Sequence, residues 1–180
     1  MINGLLDFSE MEAKGRLGLQ RRPTSMAALV QETAHEWQAQ MEDKGLAFQV
    51  NLPAEDCQVN VDVKRLRWAI MNLVRNAWQY TPEGGRVTLQ LAMRDGQVVL
   101  DVVDTGVGIS PQDQKRLFSR FFRGNIAAED EVRGLGLGLY VTRAIIEAHD
   151  GKIQVVSQPG AGSTFSVILP GCRPVAPTGK

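Results

Sequence analysis

Apolar residues recur every three or four positions in much of the chain, which is the spacing of one face of an α-helix. Four stretches show this spacing and predict helices, residues 2–14, 26–44, 62–80 and 138–150, and residues 110–118 are predicted to form a short helix. Ser25 is the predicted N-cap of the second stretch, and Gly45 is predicted to end it. Gly151 is predicted to end the last one.

Between these helices, apolar and polar residues alternate, as they do in strands with one buried face. Two short strands, 46–53 and 58–62, are predicted around a loop. Two hairpins are predicted further on, turning at Arg94-Asp95-Gly96 and at Pro159-Gly160. Since helices separate the strand pairs, we predict an α/β fold. It should be a two-layer sandwich, with a mixed, mainly antiparallel sheet covered on one face by about three helices.

Composition and charge narrow the possible classes of protein. A length of 180 residues, 43% hydrophobic and 22% charged, is typical of one ordinary globular domain. The 20 basic and 20 acidic residues cancel, so no global field would attract nucleic acid or an anionic membrane. Cys57 and Cys172 have no metal-ligand or redox spacing, which favours a reducing, intracellular setting. The sequence contains neither a signal peptide nor an apolar run of bilayer-spanning length.

The predicted helix over 62–80 carries two asparagines one turn apart, Asn72 and Asn76. Winding the helix at about 100° per residue places them, with Gln79 and Tyr80, at the edge of its apolar face. Half-buried amides require hydrogen-bond partners. Neighbouring backbone groups can provide them, so the pair alone does not establish a functional site.

A predicted strand ends at Asp104 and is followed by Gly106 and Gly108, in "DVVDTGVGIS". A carboxylate fixed at a strand end can accept a hydrogen bond from an amino group, and two residues without side chains leave room for a flat ring. An ordinary Asp-rich turn between a strand and a helix would explain the same residues.

Glycine alternates with leucine in "GLGLGL", residues 134–139, where the helix over 138–150 begins. The N-terminus of a helix attracts phosphate, because its first N–H groups are unpaired and it carries partial positive charge. Glycines there let phosphates reach the backbone. A flexible hinge is the alternative, although it would not require leucines that can anchor the turn in the core. The stretch matches neither the Gly-Lys-Ser/Thr phosphate loop nor a dinucleotide-binding fingerprint.

Five motifs now stand in one order, "NLVRNAWQYTPEGG", "DVVDTGVGIS", "RLFSRFFRG", "GLGLGLYVTRAIIEAHDG" and "GAGSTF". With them the chain resembles the ATP-binding catalytic domain of sensor histidine kinases. That domain belongs to the gyrase, heat-shock-chaperone, histidine-kinase and mismatch-repair ATPase superfamily, with its Bergerat-type fold. The resemblance implies a catalytic domain over 25–170. It also implies the end of a dimerisation helix with its linker over 1–24, and a flexible tail over 171–180, in a fragment of a longer protein.

The resemblance further implies how Mg·ATP would be bound. Asn76 would coordinate Mg²⁺ through its amide oxygen, Asn72 would lie one turn earlier, and Asp104 would bind the adenine amino group. Asn72, Asn76 and Arg123 are the implied catalytic residues. The other implied contacts are Tyr80 near adenine and ribose, Gly106 and Gly108 in the pocket floor, Arg123 with Arg120 at the γ-phosphate, Gly134, Gly136, Gly138 and Leu139 at the phosphates, and Ser163 and Thr164 beside the pocket. Residues 123–133 would form a lid over ATP, hinged at Gly124 and Gly134.

The sequence departs from the family at one position. A lysine often follows the metal-binding asparagine by three residues, and here that position is Gln79. A neutral amide cannot supply the lysine charge, so we expect arginines of the lid to compensate.

Neither histidine is expected to accept phosphate. His35 follows the linker and lacks the family's Leu-Arg-Thr-Pro after it, so a surface or packing position is expected, and His149 should pack near a helix C-terminus. Trp78 is expected on the outer side of its helix, touching the missing dimerisation helices or solvent.

The function implied by the resemblance is phosphoryl transfer in two-component signalling. The chain would bind Mg·ATP and, attached to its own dimerisation domain, donate the γ-phosphoryl group to a histidine there. A response regulator would be the next partner in the phosphorelay, the parent would be a homodimer, and this cytoplasmic fragment could be monomeric while its parent is membrane-anchored.

Two alternatives to the kinase remain open. One is a self-contained ATPase of the superfamily, in which a glutamate at the position of Asn72 acts as general base, a role that an amide cannot fill. The other is a nucleotide-binding module without kinase activity, which only Gln79 supports.

Overall fold

Helices and strands alternate along the chain in the computed structural model, which describes residues 17–124 and 136–174. The helices are α1 (Met26–Asp43), α2 (Val63–Tyr80), α3 (Pro111–Gln114) and α4 (Gly138–Ala148). The strands are β1 (Arg22–Ser25), β2 (Ala47–Asn51), β3 (Cys57–Val61), β4 (Arg86–Arg94), β5 (Gln97–Asp104), β6 (Lys152–Gln158), β7 (Gly162–Pro170) and β8 (Arg173–Pro174). The predicted helix over 2–14 lies outside the described residues.

Five strands form the main sheet, in the order β2-β4-β5-β7-β6. The β4–β5 and β6–β7 pairs are the two predicted hairpins, and β5 pairs with β7 in antiparallel orientation. The β2–β4 pair is parallel. The prediction of a mixed, mainly antiparallel sheet is therefore confirmed.

One face of this sheet is covered by helices. Alternate residues of β4 and β5, such as Leu89 and Leu100, are fully buried and belong to one core with Leu73 of α2 and Ile145 of α4. Burying a side chain of this size stabilises the fold by about 1.5–3 kcal/mol. The apolar stripes of the helices and the alternating strands therefore specify the two-layer arrangement, as predicted.

Side-chain caps determine where the two long helices begin. The hydroxyl of Ser25 accepts a hydrogen bond from the N–H of Ala28 (2.9 Å) at the start of α1, which confirms the predicted N-cap. The carboxylate of Asp62 accepts one from the N–H of Arg65 (3.2 Å) at the start of α2. Each cap satisfies a donor that the first helical turn leaves unpaired.

A second, smaller sheet was not predicted. Its three strands have the order β1-β3-β8, so β2 and β3 belong to different sheets and do not pair with each other. Strand β1 lies in a stretch expected to be a linker, and β8 lies at the start of the segment expected to be a tail. Strands of two to four residues show too little alternation to be recognised, and their partners are distant in sequence. The predicted helix over 110–118 is also shorter than expected, because α3 ends at Gln114.

Trp78 differs from its expected position. Its ring lies 6.0 Å from that of Trp37 on α1, and its Nε1 donates to the carbonyl oxygen of Gln40 (3.0 Å). The Lys44 ammonium lies 4.9 Å from the ring centroid. Trp78 therefore joins α2 to α1.

Among the helices in the described ranges, none combines the length and the apolar character that crossing a bilayer requires.

Candidate functional site

Asp104 is the last residue of β5, and only 6% of its surface is exposed. Its Oδ1 accepts hydrogen bonds from the backbone N–H groups of Gly106 (2.8 Å) and Ser163 (3.2 Å). Burial raises the pKa of this carboxyl above its ordinary value of 3.8, against the opposing effect of the two N–H donors. In the described part of the chain, no hydrogen bond reaches Oδ2. One oxygen is thus fixed by the backbone, and the other is available to a ligand.

The glycines after Asp104 are required for a different reason than expected. A Cβ atom at Gly106 would overlap the carbonyl oxygen of Tyr80, and one at Gly108, where φ is +71°, would overlap that of Gln158. Both positions are buried against the chain itself. The prediction that they leave open space for a ring is therefore wrong in its reasoning. They let the loop pack tightly against the end of α2 and the β6–β7 turn, which holds Asp104 in place.

The N-terminus of α4 has no side-chain cap from its N-cap residue. Leu137 occupies the N-cap position and has no side-chain acceptor, so no side chain from that position satisfies the first N–H groups. Gly138 packs against α2, because a Cβ there would lie 2.7 Å from Oδ1 of Asn72. A larger residue at 138 would push α4 away from α2.

Asn72 joins the two helices. Only 5% exposed, it donates from Nδ2 to the Thr142 hydroxyl of α4 (3.0 Å) and accepts at Oδ1 from the Arg75 guanidinium (2.9 Å). Its partners are side chains, and the expected backbone partners do not appear. Thr142 and Arg75 are structural neighbours that the sequence analysis missed, since nothing in the local pattern indicates contact across two helices.

Helix α2 spans the distance between Asp104 and α4. At one end Tyr80, whose side chain is 39% exposed, accepts at its carbonyl from the N–H of Val107 (3.2 Å), next to the Asp104 loop. Eight residues earlier, Asn72 touches Gly138. At about 1.5 Å per residue, these two contacts are about 12 Å apart along the helix. Asn76 lies midway between them, half-buried, and its amide has no hydrogen bond to another described residue.

Gln79, on the same helix, replaces the family's lysine. Its Nε2 is buried, and within the described ranges it has no hydrogen-bond partner. It is a neutral donor in the same stretch of helix as Asn76. Of the lid arginines expected to compensate for it, Arg123 follows α3 in the chain, and Arg133 lies outside the described residues.

The segment after α3 carries the two arginines predicted at the γ-phosphate, Arg120 and Arg123. The guanidinium of Arg120 lies 5.0 Å from the centroid of the Tyr140 ring, in the first turn of α4. The backbone of Phe121 and Phe122 packs so closely on Gly136 (φ +66°) that a Cβ there would come within 2.8 Å of it. Arg123 is exposed and lines a cavity of about 420 Å³ together with Arg116 and Arg120. Tyr140, which the sequence analysis did not single out, thus supports one of the two predicted phosphate-binding arginines.

The last hairpin contributes one predicted residue and not the other. Ser163 is 7% exposed, pairs with Asp104 across β7 and β5, and shares its face of the sheet. Thr164 is the next residue on the strand, so its side chain points to the opposite face. The placement of Thr164 beside the pocket is therefore wrong. Gly162, which was overlooked, packs against the carbonyl oxygen of Asp104 with φ +85°.

Some predicted residues cannot be placed. Gly134 and residues 125–133 of the predicted lid lie outside the described residues. Of the remaining phosphate-binding candidates, Leu139 is half-buried in the first turn of α4 and packs on the core.

Both histidines occupy the expected kinds of position. His35 is exposed on α1, and His149 is 3% exposed at the end of α4. Nε2 of His149 accepts from the N–H of Asp62 (2.9 Å), and Nδ1 lies 2.7 Å from the Ile145 carbonyl oxygen, so Nδ1 carries the proton. Burial lowers the pKa of His149 below 6.5. The ring is thus a neutral packing group that links the end of α4 to the start of α2.

Comparison with known proteins points to one family of ATPases. Residues 61–172 match the family described as histidine kinase-, DNA gyrase B- and HSP90-like ATPases. The chain is 39% identical over 170 residues to the histidine protein kinase DivJ of Caulobacter vibrioides, covering 94% of this chain and 28% of DivJ. It thus spans less than a third of that curated relative.

Solved structures show the same fold. The mycobacterial sensor histidine kinase MprB is 30% identical with a TM-score of 0.73, over 86% of this chain and 99% of that one. Full-length ShkA, solved in complex with AMPPNP, is 27% identical with a TM-score of 0.80, over 97% of this chain and 36% of that one. The chain therefore belongs to the histidine kinase-, DNA gyrase B- and HSP90-like ATPase family, as a catalytic domain of the sensor histidine kinase type.

Proposed function

We propose that this chain binds Mg·ATP in the cleft bordered by Asp104, α2 and the N-terminus of α4. In its parent protein it would then donate the γ-phosphoryl group to a histidine of a dimerisation domain. The observation that carries the proposal is the position of α2, which touches the Asp104 loop at one end and Gly138 at the other. An acceptor for adenine and a donor site for phosphate would therefore lie at the two ends of one stretch of α2.

The adenine end rests on the buried carboxyl of Asp104. Its Oδ2 would accept a hydrogen bond from the exocyclic amino group, while Oδ1 stays on the N–H groups of Gly106 and Ser163. A charge-assisted hydrogen bond in a buried site is stronger than one between neutral groups. Tyr80, partly exposed at the end of α2, would border the adenine and ribose.

The phosphate end rests on backbone and guanidinium groups. The first N–H groups of α4, from Gly138 and Leu139 onward, and the positive end of its dipole would bind the phosphates. Arg120, packed on Tyr140 at this helix end, and Arg123 would neutralise the γ-phosphate. Gly136 would leave no side chain between the backbone and the phosphates there. Gly134 is proposed in the same role from the resemblance.

The residues present fit a magnesium ion that ATP brings with it. Among the described residues there is no group of three His, Cys, Asp or Glu side chains that could hold a metal alone. Magnesium commonly takes one or two protein ligands and fills its octahedron with phosphate oxygens and waters. Asn76 would be that ligand, because its half-buried amide makes no hydrogen bond to another described residue. Bound there, the ion would offset negative charge on the transferring phosphoryl group.

Asn72 has a different role in this proposal than Asn76. Its amide is already engaged by Thr142 and Arg75, so it would position α4 against α2 and not touch the ion. It also cannot take a proton from water. An amide in place of a general base therefore favours a kinase domain that holds ATP for transfer over a self-contained ATPase.

The wider assignments concern the parent protein. We propose that the chain comprises the end of a dimerisation helix with its linker over 1–24 and the catalytic domain over 25–170, in a homodimeric sensor. The phosphoryl group would pass from the histidine to a response regulator.

Calorimetry with a non-hydrolysable ATP analogue, with and without Mg²⁺, tests the binding. We expect micromolar affinity that weakens at least about tenfold without Mg²⁺ or in Asn76→Ala, because one ligand of the ion is lost. Asn60→Ala, exposed on β3, is the matched control and should bind normally. Absent or millimolar binding by the unaltered chain would contradict the proposal.

A second experiment separates the kinase from its alternatives. The chain is mixed with the separately prepared dimerisation domain and labelled ATP. Label on a histidine of that domain supports the kinase. Steady hydrolysis without transfer would indicate an ATPase, and binding with neither reaction would indicate a nucleotide-binding module.

A further inference from the structure

The two cysteines of the chain lie together in the fold. Strand β3 pairs with β8, with Cys57 opposite Pro174 and Gln58 opposite Arg173. Cys172 precedes Pro174 by two residues, so alternation directs it to the same side of this small sheet as Cys57. Both thiols are free, and both side chains pack against the hydrophobic core. Their convergence is a product of strand pairing, since they are far apart in sequence.

The two thiols differ in their environment. Cys57 is 1% exposed, whereas Cys172 is half-buried. Burial first, then the neighbouring Cys172 thiol and the charge of Asp56, raise the pKa of Cys57 to about 12. Cys57 is therefore protonated near neutral pH, and Cys172 is the thiol that solvent reaches.

The pair lies far from the candidate nucleotide site. The N–H of Cys172 donates to the carbonyl oxygen of Gly96 (3.0 Å) in the β4–β5 turn. Asp104 is at the other end of β5, about 25 Å away along the strand. The pair instead adjoins the linker, because β3 also pairs with β1, which directly precedes α1.

We propose that Cys57 and Cys172 form a reversible disulfide site that reacts with small disulfides of the glutathione class. Cys172 is the entering thiol, and Cys57 is the resolving thiol. Strand β8 is only two residues long, and its pairing with β3 therefore holds the chain after β7 by few hydrogen bonds. The disulfide would add a covalent link between this segment and β3.

The reaction balances in two exchange steps. The Cys172 thiolate attacks glutathione disulfide, forming a mixed disulfide and releasing one glutathione thiolate. Cys57 then gives up its proton, and its sulfur attacks Sγ of Cys172, releasing the second glutathione. Two thiol protons end on two glutathione molecules, and the protein has lost two electrons to the small disulfide. The second step should be slow, because Cys57 is rarely a thiolate.

The expected consequence is stability without a change in nucleotide binding. The disulfide closes a loop that contains most of the domain, which restricts the unfolded chain and should raise Tm by at least about 5 °C. Affinity for the ATP analogue should stay within about twofold, because the bond forms at the opposite end of the sheet from Asp104.

The test uses the 180-residue chain with excess glutathione disulfide at about pH 8.5, near the ordinary pKa of a thiol. After quenching and denaturation, free thiols are alkylated and intact mass and crosslinked peptides are measured. We expect the loss of two hydrogen masses, a Cys57–Cys172 crosslinked peptide, and full reversal by dithiothreitol. Cys57→Ala should retain one glutathione on Cys172.

Cys172→Ser is the control that does not disturb the buried site. It should retain an alkylatable Cys57 after the same treatment and show no rise in Tm. The proposal is overturned if the unaltered chain keeps glutathione on Cys172 while Cys57 alkylates, if both thiols alkylate, or if the disulfides join separate chains.

Discussion

Replacing Asp104 by asparagine should separate the stability of the fold from its affinity for nucleotide. Asn keeps an oxygen to accept the N–H groups of Gly106 (2.8 Å) and Ser163 (3.2 Å). Those donors hold the amide oxygen in place, so its NH₂ group takes the position of Oδ2. There it would face the adenine amino group, donor against donor.

The substitution should leave the free energy of unfolding unchanged or higher, and it should lower the affinity for nucleotide. Burial raises the folded pKa of Asp104 above 3.8, so this carboxyl contributes stability below pH 3.8 that is lost as pH rises through its folded pKa. At neutral pH its charge is a cost of about 1.4 kcal/mol per unit by which the pKa is raised. Asp104→Asn removes that cost and should be at least as stable as the unaltered chain. Affinity should fall roughly 10²–10³-fold, from a lost charged hydrogen bond and two opposed donors.

Calorimetric binding and urea unfolding at pH 7 measure both effects. Asp101→Asn is the matched control, on the same strand but on the opposite face of the sheet, and should leave binding unchanged. The reasoning is refuted if Asp104→Asn binds the analogue within about threefold of the unaltered chain. It is equally refuted if that variant loses more than about 1 kcal/mol of stability.

Four further substitutions, one of them a control, test the supporting structure. His149→Ala should cost about 2–4 kcal/mol in urea unfolding, because the buried N–H of Asp62 loses its acceptor and a cavity remains. The pKa of His149 is lowered in the folded state, so the unaltered chain should also lose stability as the pH falls below 6.5, by up to about 1.4 kcal/mol per pH unit. The variant should lack this pH-dependent loss. Gly108→Ala should lower stability by more than about 3 kcal/mol, measured as Tm, because φ is +71° and its Cβ overlaps backbone. Gly160→Ala, with φ +78° and open space around it, should cost only about 1–2 kcal/mol, and equal losses would contradict this account. Asn72→Ala should cost about 1–3 kcal/mol and weaken analogue binding, and unchanged values for both would exclude its proposed role in joining α2 to α4.

Local pattern was enough to predict the large elements. The helices α1, α2 and α4 have clear apolar stripes and recognisable ends, and both hairpins have turn residues between alternating strands. It also drew attention to Asp104 and Asn72, because an acid at a strand end and an amide at the edge of a core need specific partners. Each of these predictions uses residues that are close in sequence.

Other features depended on contacts between distant residues. Strand β3 pairs with β1 and β8, and no local pattern distinguishes that from pairing with β2. Thr164 was misplaced because its face follows from the register of β7 with β5, and Trp78 because α1 covers it. Gly106 and Gly108 were correctly noticed, but their role is close packing against the chain itself.

The sequence by itself determined the alternation of helices and strands, the two-layer class and the chemical groups of the candidate site. Periodicity and capping are properties of neighbouring residues, so they can be read before any chain folding is known. Only the tertiary structure decided that α2 extends from the Asp104 loop to Gly138, and that Cys57 meets Cys172. Those contacts form because burying apolar faces brings distant segments together, and a linear pattern does not specify which segments meet.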